Sequence, residues 1–103
     1  MALINKICMN NNWVSIYRAK NGNTVHVVKD GIPNIISRTR ALTMDSAGKP
    51  IKCKDITIRK GTLTSADTYT PAKDGSTAIK DKNGVTRLFE NLSFMDIAAK
   101  FLK

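Results

Sequence analysis

Apolar and polar positions alternate with period two along much of the first sixty residues, the spacing of half-buried strands. Residues 13–20 (WVSIYRAK) and 24–29 (TVHVVK) are rich in β-branched and aromatic side chains and flank Asn21-Gly22. Asn-Gly between two such runs predicts a hairpin with a two-residue loop, because both turn positions need positive φ. That loop opposes Arg18 with Val25, Tyr17 with His26 and Ile16 with Val27. Val14, Ile16, Val25 and Val27 then share one face, assigned to the core, and Trp13, Tyr17 and His26 share the other.

The same alternation continues beyond this hairpin. Leu3, Ile4, Ile7 and Met9 supply short-strand material ahead of Asn10-Asn11-Asn12. Asp30-Gly31 and Pro33-Asn34 mark a turn, and residues 35–43 form a strand with Ile36, Arg38, Arg40 and Leu42 on one side. After the turn cluster at 45–50, residues 51–60 (IKCKDITIRK) form another strand. Ile51 and Cys53 keep one parity and Ile56 and Ile58 the other, which predicts a β-bulge near Lys54-Asp55. Residues 62–77 are polar and hold Pro71 and Gly75, so a flexible surface loop is expected there, with room for one short edge strand. Asn83-Gly84 predicts a second two-residue hairpin, opposing Ile79 with Leu88 and Ala78 with Phe89.

The period changes to helical at the C-terminus. Phe94, Ile97, Ala98, Phe101 and Leu102 fall on one stripe of a helix spanning 93–103. Ser93 is a good N-cap with Asp96 three residues on, and Lys100 and Lys103 suit the negative end of the helix dipole. A helix this short must pack on the sheet to be stable. The expected fold is therefore mainly β (α+β): one domain over residues 1–103, a small antiparallel curled sheet or barrel of about five to seven strands with one C-terminal helix.

Composition agrees with that picture. Of 103 residues 42% are hydrophobic, ordinary for a folded domain. Glu90 is the only Glu and there is no Gln, whereas Thr, Asn and Asp are plentiful, a balance that favours strands and turns. No apolar run reaches the roughly 18 residues of a membrane span, and residues 1–14 do not read as a secretory signal. Cys8 and Cys53 are expected as reduced thiols in a reducing, cytoplasmic compartment or a virion.

Charge adds a function class. The chain carries 17 Lys and Arg against 8 Asp and Glu, a formal net charge of +9. Residues 38–60 hold Arg38, Arg40, Lys49, Lys52, Lys54, Arg59 and Lys60 against Asp45 and Asp55. A field of one sign on part of a small protein points to a polyanionic partner. The candidate phosphate-binding residues are Arg18, Lys20, Arg38, Arg40, Lys52, Lys54, Arg59 and Lys60, with Arg38, Arg40, Lys52 and Lys54 expected on one accessible surface. Trp13, Tyr17 and His26 are candidates for stacking on unpaired bases, although rings on strands more often lie in a core.

Catalysis has little in its favour. His26 is the only histidine, the acids form no paired-carboxylate pattern, and Gly48-Lys49 is followed by Pro50 where a phosphate loop needs Ser or Thr. One His and two Cys do not make a structural zinc site. No cofactor, metal or small-molecule substrate is expected. The reading is a non-enzymatic basic protein that binds DNA or RNA with little sequence specificity. Its alternatives are an assembly subunit of a multi-copy, virus-like particle that forms homo-oligomers, and a small inhibitor docking on an acidic surface.

Overall fold

A computed structural model describes residues 2–9 and 12–102. The expected break at Asn10 and Asn11, and the cation Lys103, lie outside the described residues. Eight strands follow in order: β1 (Ala2–Met9), β2 (Asn12–Arg18), β3 (Thr24–Ile32), β4 (Ile36–Met44), β5 (Pro50–Arg59), β6 (Thr62–Pro71), β7 (Ser76–Lys80) and β8 (Thr86–Ser93), then helix α1 (Phe94–Lys100). They form one antiparallel sheet in strictly sequential order, an unclosed meander ending in β1 and β8. The sheet thus has eight strands rather than five to seven. The expected loop at 62–77 is instead β6, a tight turn and the start of β7. Thr, Ser and Ala alternate there without an apolar stripe, but threonine suits a pleated surface and needs no core to face.

Loop length is the second departure. Four hairpins share one design, in which a three-residue loop ends in glycine. Ala19 N–H donates to Asn23 O at 2.9 Å and Gly22 N–H to Ala19 O at 3.1 Å, and the same pair of bonds recurs at Asp45–Lys49, Ala72–Ser76 and Asp81–Val85. The closing glycine is left-handed, with φ +89° at Gly22 and +80° at Gly84, the geometry of a type I turn followed by a glycine bulge. The Asn-Gly pairs are therefore the last two residues of three-residue loops, and each predicted register is off by one. Arg18 pairs with Thr24, Tyr17 with Val25, Ile16 with His26 and Val14 with Val28; Ile79 pairs with Arg87 and Ala78 with Leu88. Among the described residues, a two-residue turn is at Lys60-Gly61, where φ is +49° and +79°.

Directly opposed residues share a face, so the register sorts the whole sheet. One row runs Ile7, Val14, Val28, Arg40, Asp55, Asp67, and the next Asn5, Ile16, His26, Leu42, Cys53, Tyr69, Ile79, Arg87. This is the helix face. Phe94, Ala98 and Phe101 close over Leu42 and Cys53, with Met44, Tyr69, Ile97 and Leu102 packed around them. The predicted helical stripe is thus core, and Ser93 caps the helix by accepting from Asp96 N–H at 3.4 Å. Every buried strand residue except Ser76 at the β7 bulge lies on this face. Val25 and Val27, assigned to the core, are on the opposite face, while Val14 and Val28 are completely buried. The bulge expected at Lys54-Asp55 is absent; those residues pair regularly with Ala41 and Arg40, and the irregularities lie at Thr43/Met44 and Thr57/Ile58. Ile56 and Ile58 differ in parity from Cys53 because they stand on the open side.

Phe94 is 1% exposed and sits at the centre of the only helix-to-sheet contact among the described residues. Phe94→Ala is expected to cost about 3–5 kcal/mol, measured as a lowered midpoint in urea unfolding. Gly31→Ala should also destabilise, because φ there is +125° and a Cβ would meet Ile36 O at 2.1 Å.

Candidate nucleic-acid interface

Among the described residues, no helix lies on the sheet's other face. One row crosses all eight strands: Lys6, Ser15, Val27, Ala41, Lys54, Thr68, Lys80 and Thr86. At about 4.8 Å per strand it is roughly 34 Å long, measured along the sheet. A second row holds Leu3, Tyr17, Val25, Thr43 and Lys52. A third pairs Cys8 with Trp13, and Lys29 with Thr39, Ile56 and Ala66. These rows contain five lysines and no carboxylate. The strand aspartates Asp30, Asp55 and Asp67 all stand on the helix face, Asp45, Asp74 and Asp81 are at hairpin loops, and Glu90, exposed on β8 two residues after Leu88, is in none of these rows. Lys6, Lys29, Lys52, Lys54 and Lys80 are exposed.

The expected residues divide between the two faces. Lys52 and Lys54 are on the open face; Arg38 and Arg40 are on the helix face, so these four do not share an accessible surface. Arg38 donates to both oxygens of Asp55, at 3.1 and 2.7 Å. That contact raises the Arg38 pKa further and offsets the like-charge opposition of Asp55 and Asp67. Arg40 is 6% exposed, donates to Asp30 at 3.1 Å and reaches the Phe101 carbonyl at 3.3 Å, tying the helix end to the central strands. Arg18 and Arg59 also belong to the helix side, and Lys20 and Lys60 to hairpin turns. Sequence reasoning missed Lys6, Lys29 and Lys80. For Lys29 the signal was the three-residue loop closed by Gly22, which sets the parity that puts it on the open face with Trp13 and Tyr17.

The aromatic trio separates likewise. Trp13, 68% exposed, and Tyr17, half-buried, are on the open face. His26 is on the helix face between Ile16 and Leu42, where burial lowers its pKa from 6.5 and its Nδ1 lacks a hydrogen-bond partner. Cys53 is buried, its thiol pushed up to about 11, while Cys8 is exposed on the other side of the sheet; both are free.

A hollow of about 370 Å³ lies beside the helix, lined by Arg38, Arg40, Asp55, Tyr69, Ile97, Lys100 and Phe101. Its two arginines are engaged by Asp55 and Asp30, which makes it part of the helix attachment. No group of three or more His, Cys, Asp or Glu among the described residues is placed to hold a metal ion. No helix of the described residues is long and apolar enough to cross a membrane. Scans of family models, curated proteins and solved structures each find no match to this chain.

The depressed His26 value has a sign. The unfolded chain takes up a proton near pH 6.5 that the folded chain resists, so stability should fall as pH drops below 6.5 and level off below the folded value. Denaturant midpoints between pH 7.5 and 5 should show this slope, and His26→Phe should flatten it.

Proposed function

We propose that the protein is a non-enzymatic binding protein that holds nucleic-acid phosphates on its open sheet face, with little sequence preference. The observation that carries this reading is the segregation of charge. Lys6, Lys29, Lys52, Lys54 and Lys80 stand among threonines, Ser15 and apolar residues such as Val25, Val27 and Ile56, with no carboxylate in register with them. A lysine next to an aspartate is largely neutralised; an unopposed set keeps its field and releases counterions when phosphates replace them. Thr39, Thr43, Thr68 and Ser15 lie between the lysines and add hydroxyl donors for phosphate oxygens. Lysines on separate strands fix no base-reading geometry, so the contact follows the backbone and not its sequence.

A second reading, an assembly subunit, has its own support. β1 and β8 are the two ends of the strand order, and Leu3, Ile4 and Leu88 on them are 52%, 46% and 54% exposed. Such edges are templates for pairing with another chain. Solution mass measured against concentration tests it; a strict monomer at all concentrations rejects it.

For the binding reading, affinity for an oligonucleotide should weaken steadily as salt rises. Lys52→Gln with Lys54→Gln should make the slope of log affinity against log salt shallower by about 1.4 for a single strand, at roughly 0.7 per lost phosphate contact. Arg59→Gln, on the helix side, should change it much less. A slope near zero in the unaltered protein would overturn the proposal.

A further inference from the structure

Trp13 sets a problem that the lysines alone do not. An indole is a large apolar surface that folding usually covers, yet Trp13 is 68% exposed on a face where no other element of the described residues lies. Its surroundings are basic. Cys8 is its direct partner across β1, Lys6 stands diagonally across the same pair of strands, and one step beyond the Val14–Val28 pair brings Lys29 opposite on β3. The ring therefore lies in the corner of the open face between two lysines, with no carboxylate in the neighbouring rows.

Three partners suit an exposed ring: a nucleobase, a lipid surface or a second copy of this chain. A second copy docked by a two-fold axis would set this patch against itself and bring Lys6 and Lys29 close to their own equivalents, which like charges oppose. A lipid surface asks for a cluster of apolar anchors, whereas Trp13 is accompanied by Cys8, Ser15 and lysines. A polyanion with flat apolar groups at regular intervals meets both demands, since phosphates engage the lysines and a base covers the ring. In a duplex the base faces are already stacked on one another, which leaves the ring nothing to cover it.

We propose that Trp13 stacks on an unpaired base and makes the open face a site for single-stranded nucleic acid. This rests on the phosphate-binding role proposed above and adds to it a requirement for accessible bases. Trp13 is the only tryptophan, so its fluorescence reports on this position alone.

The full chain is titrated at low salt with oligothymidylate, oligouridylate, a mixed-sequence DNA duplex of equal length, and heparin as a polyanion without bases. Single strands should quench Trp13 emission and bind more tightly than the duplex, and heparin should bind with little quenching. Trp13→Ala should weaken single-strand binding by roughly tenfold and leave heparin affinity unchanged, with an unaltered thermal midpoint showing that the fold is intact. The quenching measurement on the unaltered protein needs no variant and decides the matter if Trp13→Ala fails to fold. Equal binding of all four polyanions without quenching overturns the stacking and leaves the phosphate site standing. No binding to any of them overturns both. A blue shift that grows with protein concentration alone, together with a rise in mass, shows that a second copy covers the ring and overturns this inference.

Discussion

One seven-residue helix laid across an eight-stranded sheet governs everything else in this molecule. A sheet has two faces, and a helix this small covers part of one. Phe94, Ala98 and Phe101 make that contact, with Tyr69 meeting the Phe101 ring edge-on at 6.0 Å. Burial at this level contributes about 1.5–3 kcal/mol for each large side chain, and isolated helices of this length do not persist in water. The helix and the covered face thus depend on each other. The remaining face has to be soluble as it stands, which explains its lysines and hydroxyls before any partner is invoked.

The two kinds of cation divide along that line. Arginine, whose planar fork can grip a carboxylate at two points, serves the covered face: Arg38 holds Asp55 and Arg40 holds Asp30 and the helix end. Lysine, a strongly hydrated point charge on a flexible stem, occupies the open face. The sum of charge along the chain hides this division, because Arg40 and Lys54 contribute alike to the total. Only the positions opposite them reveal that the first is part of the framework and the second is available to a partner.

Much of the architecture was legible in the residues. The strands around Trp13–Lys29, Ile36–Leu42 and Ile51–Arg59 follow from alternation, and the helix from Ser93 and its stripe. The face assignments failed for a specific reason. Whether Asn-Gly is a complete two-residue loop or the end of a three-residue one depends on the residue before it, and that choice inverts the pairing parity of the whole hairpin. Lys20 and Lys82 lie inside their loops, and the error put Lys29 opposite Val14 when Val28 is its partner. The length of β6 escaped notice because sequence patterns find strands by their apolar side, and ahead of Tyr69 its helix-side residues Ser65 and Asp67 are polar. The charge cluster at 38–60 was real, but a β4–β5 hairpin distributes its residues to both sides of the sheet.

The sequential meander also sets an order of events. Each strand pairs with the one made just before it, so the sheet can grow hairpin by hairpin as the chain is synthesised, at little cost in loop closure. The helix comes after all eight strands. Until it arrives, Leu42 and Cys53 face water, and a nearly complete sheet exposes the surface that will become its core. The residues that seal the molecule leave the ribosome after the sheet they cover, and the interval before they dock is when this chain is most vulnerable to aggregation.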